Sequence, residues 1–203
     1  MRYFILLCAL LFMTSCSNDK LPIENPPVEE QTNELQLFFK EDGSTAFFEG
    51  EGNEFASYTE QTFWLSSDYV HVRVDNGGVV INTVYRVTDT AIELVFQEAE
   101  DVAQFDATAL DTYPVITTLL KAPIEVGQSE DHWAIADIAA QVDTPYRSFN
   151  NAVVVVMEIG NATETNYYVH GYGLVKSVIE IMEEYEIFII TSTLKELEVL
   201  GAD

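Results

Sequence analysis

Short apolar runs separated by turn residues occupy the chain from about Leu37 onwards. Asn76-Gly77-Gly78 stands between two β-branched runs and is a strong signal for a hairpin. The run before it, YVHVRV, places Val70, Val72 and Val74 on one face, as in a strand with one buried side. A chain divided in this way favours a sheet whose strands are adjacent in sequence, and it leaves little room for long helices.

The spacing of these runs predicts a mainly β fold, an antiparallel β-meander with few or no helices that forms a sandwich or an open half-barrel. Strands are expected over residues 44–49, 55–65, 69–74, 79–87, 92–96, 133–142, 148–158, 166–169, 173–182 and 185–197, and residues 113–120 lead into Lys121-Ala122-Pro123. The acidic segment 98–112 predicts a linker, with a helical turn as one option, and residues 194–200 suit a helix or a strand. Segments 36–97 and 113–200 echo each other weakly, so a duplicated meander and ordinary hairpin chemistry both remain open.

Acidic residues outnumber basic residues by 34 to 9 in a chain of 203 residues. Such a surface repels nucleic acid and anionic lipid headgroups, so no nucleic-acid partner is expected. Since 48% of the residues are hydrophobic, the chain has enough apolar surface to build a core. The charge is interpreted as a solvated surface, with a specific cation-binding role as the alternative.

The first sixteen residues, MRYFILLCALLFMTSC, have the order of a bacterial secretion signal. Arg2 supplies the positive start, and the apolar run of residues 3–13 is too short to span a membrane as a helix. Thr14-Ser15-Cys16 follows at once and resembles the lipobox of bacterial lipoproteins. This resemblance implies that Cys16 receives a diacylglyceryl thioether, that the chain is cut between Ser15 and Cys16, and that acyl chains such as palmitate anchor it in a membrane.

The lipobox divides the chain into three parts. Residues 1–15 are predicted to be the signal peptide, residues 16–35 the lipidated cysteine with an acidic, proline-rich tether, and residues 36–203 a single β-rich domain. The tether contains Pro22, Pro26 and Pro27, which favour an extended chain. Because one of the 9 bases leaves with the signal, 8 − 34 gives the mature side chains a net charge of −26.

No strong catalytic or metal-binding motif is present. His71, His132 and His170 lie on separate segments without metal-ligand spacing, and His71, between two inward-facing valines, is expected to point to solvent. Glu130-Asp131-His132 could hold a metal, but it is interpreted as an acidic loop. Cys8 leaves with the signal, so the mature domain has no thiol besides Cys16. No catalytic residue, metal or cofactor is therefore predicted, and the protein is expected not to be an enzyme.

Three stretches of the chain each contain a short motif near a glycine or an aromatic residue. The motif is Lys-x-Pro in the first, Thr-Pro in the second and a pair of tyrosines in the third. The stretches are Leu120-Lys121-Ala122-Pro123-Ile124 with Gly127 and Trp133, Val142-Asp143-Thr144-Pro145 with Phe149, and Tyr167-Tyr168-Val169 with Gly171-Tyr172-Gly173-Leu174-Val175-Lys176. Together they resemble uncharacterised extracytoplasmic bacterial lipoproteins over residues 45–197. The resemblance implies an antiparallel sheet, with the curved half-barrel of LolA-type lipoprotein carriers as one form, and it implies no known activity. Trp133 and Phe149 are expected to lie in the core.

Two functions remain open at this point. The first is a membrane-anchored, extracytoplasmic, non-catalytic lipoprotein that binds an apolar small molecule or a lipid on its curved sheet. The alternative is a structural or protein-interaction lipoprotein of the cell envelope without a small-molecule ligand. Either protein would be held at the cell membrane or the outer membrane through Cys16. An open apolar cavity of roughly several hundred Å³ favours the first, and a filled core with an exposed apolar patch favours the second.

Replacing Cys16 by Ser tests the anchor. Because a hydroxyl cannot form the thioether, Cys16→Ser is expected to keep its signal peptide and to incorporate no labelled palmitate. Ser17→Ala, one residue further on, is the control and should change neither property. Mass spectrometry and palmitate labelling of the protein from membranes measure both, and normal processing of Cys16→Ser would contradict the lipobox.

Overall fold

The computed structural model describes residues 33–130 and 132–200, which belong to one compact unit. The predicted signal peptide, its cleavage point at Ser15 and Cys16, and nearly all of the predicted tether lie outside the described residues. Leu35, the last residue of the predicted tether, is packed into the fold and only 1% exposed.

Twelve strands form the sheet, and the described residues also contain two short 3₁₀ helices, Glu34–Phe38 and Leu110–Thr112. The strands are β1 (Ser44–Glu51), β2 (Tyr58–Trp64), β3 (Tyr69–Asp75), β4 (Val80–Val87), β5 (Ala91–Glu98), β6 (Thr117–Lys121), β7 (Ser129–Glu130), β8 (Trp133–Asp143), β9 (Ser148–Ile159), β10 (Ala162–Val169), β11 (Gly173–Met182) and β12 (Ile187–Val199). None of the helices in this part of the chain is long and apolar enough to cross a membrane.

The strand order across the sheet is β6-β5-β4-β3-β2-β1-β12-β11-β10-β9-β8-β7. Strands that are adjacent in sequence pair with each other, with one exception: β6 and β7 do not pair, because they form the two edges of the sheet. In addition, the first strand, β1, pairs with the last strand, β12. The predicted antiparallel meander is therefore confirmed. β6 lies in the second of the two predicted halves, but it pairs with β5. The sheet thus consists of a first wing, β1–β6, and a second wing, β7–β12.

The inner faces of the two wings pack against each other around one apolar core. Its strand residues, each 4% exposed or less, are Val70, Val87, Ile92 and Leu120 of the first wing and Trp133, Ile135, Val153 and Val155 of the second. The sheet is open, but it curves until its edges approach, since Lys121 Nζ of β6 lies 3.2 Å from Glu130 Oε1 of β7. The predicted core positions of Trp133 and Phe149 are confirmed, with exposures of 3% and 5%.

The first and last strands join the wings. β1 and β12 pair from Ser44 opposite Val199 to Glu51 opposite Thr191. Leu194 of β12 is completely buried in a second apolar cluster that contains residues of β1, β8, β9, β10 and β11. The C-terminal segment that suited a helix or a strand is a strand as far as Val199, because its β-branched residues find a partner strand in β1.

The acidic linker after β5 covers the outer face of the first wing. Leu110 of this linker packs with buried residues of β3, β4 and β5, and the ring of Phe105 lies 5.1 Å from that of His71 in an edge contact. His71 Nε2 donates to Asn82 Oδ1 at 3.0 Å, since the amide of Asn82 is oriented by its donation to Glu100 O. The predicted solvent exposure of His71 is therefore wrong, although the predicted face is right. The side chain faces outward, but the linker half-buries it.

The burial of His71 makes stability depend on pH. Burial is the main cause that lowers the pKa of His71; the hydrogen bond to Asn82 opposes it, and the charge of Arg73 supports it. The neutral imidazole therefore stabilises the fold fully above its unfolded pKa of about 6.5, and this contribution is lost as the pH falls through the lower folded pKa. The wild type should lose stability relative to His71→Gln as the pH falls from about 7 to about 5.

Urea denaturation across this pH range measures the effect. His170→Gln, in an exposed turn, is the matched control and should follow the wild type. Parallel stability curves for the wild type and His71→Gln would contradict the assignment.

Candidate functional site

Residues 33–40, which we call the plug, cover one end of the interior between the wings. Leu35 and Phe38 of the plug are 1% and 3% exposed and belong to the shared core. The short helix starts where the Asn33 side chain accepts a hydrogen bond from the Leu35 N–H at 2.9 Å. The Gln36 side chain accepts one from the Asn33 N–H at 3.1 Å, which completes a capping box.

The plug is attached to turns of both wings. The Asn33 amide donates to a backbone carbonyl of the β4–β5 turn at 2.8 Å, and the Gly171 N–H donates to Leu37 O at 2.7 Å. Gly173 has a φ of +61°, and a Cβ at this position would lie 3.1 Å from Phe38 O. Glycine is therefore required where the plug crosses the start of β11.

A cavity of about 90 Å³ lies under the plug. Its apolar lining comes from the plug and both wings: Phe38, Phe39, Val72, Ile92, Leu119, Leu120, Val155 and Leu174. Its polar lining consists of Lys40, Glu60, Thr62, Tyr85 and Tyr168. Typical small-molecule pockets have volumes of roughly 300–1,000 Å³, so the space between the wings is largely filled by side chains.

Lys40 and Glu60 form a buried ion pair at this cavity. Lys40 Nζ donates to Glu60 Oε1 at 2.6 Å and to Leu174 O at 3.0 Å. The two charged side chains are 1% and 10% exposed. Trp64 Nε1 donates to Lys40 O at 3.0 Å, so side chains of β2 hold both the backbone and the side chain of the last plug residue. The pair therefore fixes the plug against β2.

Two buried tyrosines provide the remaining polar groups of the cavity. Burial is the main cause that raises the pKa of Tyr85 and of Tyr168, and the negative charges of Glu60 and Glu164 raise both further. Both phenols are therefore protonated at neutral pH. A protonated phenol and a carboxylate already paired with Lys40 offer hydrogen bonds, but neither is a free base or nucleophile.

The second wing extends past the first. β9, β11 and β12 have 12, 10 and 13 residues, whereas the strands of the first wing have 5 to 8. The pairing of β12 with β1 ends at Thr191. Residues 157–164 and 179–190 form the end of this extension, which we call the arm. Its exposed apolar side chains are Ile159 (55%), Met182 (66%), Tyr185 (90%), Ile187 (57%), Phe188 (44%) and Ile189 (50%).

Strand register sorts the side chains of the arm onto two faces, because residues directly opposite each other in antiparallel strands share a face. One face carries the row Phe188, Ile181, Ala162 and Ile159, and then the row Ile190, Ile179, Glu164 and Met157. We call it the apolar face. The opposite face carries Ile187 with Met182, and then Ile189, Glu180, Thr163 and Glu158.

The arm and the plug lie at opposite ends of the second wing. β11 starts at Gly173, beneath the plug, and reaches the arm at Met182. At about 3.3 Å per residue, ten residues separate the two ends by about 30 Å. The chain thus enters the fold at one end of the sheet and exposes its apolar arm at the other.

The residues singled out in the sequence are not brought together. Cys16 and Ser15 lie outside the described residues. His71 is on β3, His132 is in the β7–β8 turn and His170 is in the β10–β11 turn. Within residues 33–130 and 132–200, no group of three or more His, Cys, Asp or Glu side chains is arranged to hold a metal.

Sequence reasoning missed the Lys40–Glu60 pair and the arm. A signal for the first was present, because strict alternation in residues 55–65 places Glu60 on the same face as Ala56 and Tyr58. A carboxylate on an apolar face indicates a buried partner. The signal for the arm was the run Ile187–Ile190, which has no polar residue on either face.

Comparisons with known proteins add two solved structures. No protein-family model matches the chain. No curated protein matches its sequence. The chain is similar to a protein of Bacteroides fragilis NCTC 9343 that has a YmcC-like fold and is named as an exported protein (13% identity, TM-score 0.46, 80% of this chain and 98% of that chain). It is also similar to a protein of Parabacteroides distasonis ATCC 8503 that is named as a lipoprotein (13% identity, TM-score 0.43, 80% of this chain and 98% of that chain).

Removing one partner of the buried ion pair should destabilise the fold strongly. Lys40→Met leaves Glu60 buried without a cation and is expected to cost about 3–5 kcal/mol in the free energy of unfolding. The double variant Lys40→Met/Glu60→Leu removes both charges and should recover most of that loss. Chemical denaturation measures both values. A double variant no more stable than Lys40→Met would show that the charge of Glu60 is not what destabilises the single variant.

Proposed function

We propose that this chain is a lipid-anchored, non-catalytic protein of the bacterial cell envelope that docks another envelope protein through its apolar arm. Acylated Cys16 holds it at the extracytoplasmic face of the cell membrane or the outer membrane. The single observation that carries the docking role is the exposure of apolar side chains on both faces of the arm.

The size and composition of the arm support docking. Six apolar side chains in this one region are between 44% and 90% exposed. Isolated exposed apolar residues are common on soluble proteins, but contiguous patches mark interaction surfaces. Tyr185 and Phe188 are of the type that dominates binding energy at interfaces, because aromatic side chains bury a large area with few rotatable bonds.

The polar groups of the interior support the absence of catalysis. Lys40 and Glu60 neutralise each other, and the tyrosine hydroxyls beside them are held protonated by burial. The plug covers this end of the interior, so a substrate would have to displace Leu35 and Phe38 from the core.

Binding of an apolar small molecule or a lipid in the interior is the second candidate function. The cavity under the plug favours it, since its lining is apolar around a few polar groups, the usual composition of a ligand site. It ranks second because about 90 Å³ is far below the volume of such sites unless the plug moves. Native mass spectrometry of the protein extracted from its own membrane tests it, and a spectrum without a bound small molecule would count against it.

Site-specific photo-crosslinking in living cells tests docking. A photo-reactive phenylalanine in place of Tyr185 is expected to form a discrete protein adduct, because this side chain is 90% exposed at the tip of the arm. The same amino acid in place of Tyr146, which is 38% exposed in the β8–β9 turn, is the matched control and should not give this adduct.

Arm substitutions in the same cells test whether the apolar contact matters. Ile159→Ser with Phe188→Ser should lower the adduct at position 185 by at least about tenfold, since truncating a central anchor costs about 2 kcal/mol or more of binding. Both side chains are exposed, so the fold should keep its stability to within about 0.5 kcal/mol each. An adduct that forms equally from position 146, or that survives the double substitution, would contradict docking through the arm.

A further inference from the structure

We propose that the partner of the arm is a protein whose contact surface carries an apolar patch rimmed by Lys and Arg side chains. This inference rests on the proposed function and adds the chemistry of the partner to it. It is carried by the distribution of charge around the apolar face.

The arm contains acids and no bases. Residues 157–164 and 179–190 include Glu158, Glu164, Glu180, Glu183, Glu184 and Glu186, with no Lys or Arg among them. None of these six carboxylates forms an ion pair within the described part of the chain; the five ion pairs there involve other acids. The arm therefore presents uncompensated negative charge together with its apolar side chains.

The position of these charges resembles the rim of an interface. Glu183, Glu184 and Glu186 occupy the exposed β11–β12 turn at the tip, and Glu164 stands at the inner end of the apolar face. Glu164 is turned toward the wing, because its Oε1 accepts from Asn166 Nδ2 at 2.8 Å. Between these two ends the apolar face carries Phe188, Ile181 and Ile159 without a charge. An apolar centre with a polar, solvated rim is the usual anatomy of a protein interface.

Charge argues against the other occupants of such a patch. A second copy of this chain would bring the same acidic rim, so like charges would meet in a symmetric contact. A bilayer surface would have to accept the three glutamates of the tip before any apolar residue behind them, and anionic headgroups would repel these side chains. A protein with a basic rim satisfies both the apolar face and the free carboxylates.

The test keeps the full-length chain and the crosslinker at position 185 and changes only the rim. The rim variant Glu183→Gln/Glu184→Gln/Glu186→Gln removes the three charges at the tip of the arm. The control variant Glu100→Gln/Asp101→Asn/Glu125→Gln removes three charges from exposed acids outside the arm. Crosslinking is carried out in envelope preparations at about 50 mM and about 500 mM NaCl, where screening lengths differ about threefold.

If the partner has a basic rim, the adduct yield should fall about threefold or more in the rim variant. With the unmodified rim, the yield should fall by a similar factor when the salt concentration is raised. The control variant should crosslink as the parent does. A rim variant that crosslinks as well as the control would overturn the inference while docking through the arm still stands. Complete absence of an adduct from position 185 would overturn both proposals.

Two further measurements decide between occupants. An adduct with twice the mass of this chain, or dimers of the purified protein in sedimentation equilibrium, would identify a second copy as the occupant. Co-sedimentation of the non-lipidated protein with phosphatidylglycerol or phosphatidylcholine vesicles, abolished by Ile159→Ser with Phe188→Ser, would identify a membrane. Either result would overturn the inference.

Discussion

Burial of the two inner faces against each other is the interaction on which the rest of the structure depends. A twelve-stranded sheet with one apolar face must cover that face, and here each wing covers the other, so the sheet curves until its edges are joined by Lys121 and Glu130. The cover is imperfect at both ends. At one end the plug supplies Leu35 and Phe38, and at the other end the longer strands of the second wing project beyond their cover. The two candidate sites are therefore the two places where the wings do not match.

The plug and the arm solve this mismatch in opposite ways. The plug fills its end with apolar side chains and is held there by an ion pair. The ammonium group of Lys40 can be buried because it donates a hydrogen bond to the carboxylate of Glu60. The arm has no such cover in the described residues and keeps its isoleucines and its phenylalanine in solvent. A surface of this kind is costly for a protein that acts alone and useful for one that binds a partner.

The sequence predicted the strands well because their ends are set locally. Turns such as Asn76-Gly77-Gly78, where Gly77 has a φ of +80°, interrupt the chain at places that any arrangement of the sheet must respect. Long-range pairing was not predictable in this way, since nothing near Ser44 or Val199 specifies that these residues lie opposite each other. The same limit applies to the sites. Glu60 was placed on the correct face, but its partner Lys40 lies in a segment without strand periodicity, and the exposure of the arm depends on the relative lengths of strands that are far apart in sequence.

The pairing of β1 with β12 also bears on how such a chain reaches its folded state. If the chain is exported amino terminus first, as a lipoprotein would be, the first wing can form from local hairpins while its partner strand is still inside the cell. Until Val199 has emerged, the edge of β1 and the apolar face behind it have no cover, and an exposed strand edge recruits other chains. The pairing of β1 with β12 joins residues that are far apart in sequence, and contacts of this kind form slowly. Assistance from periplasmic or surface chaperones would matter most in the interval between the emergence of the first strand and that of the last.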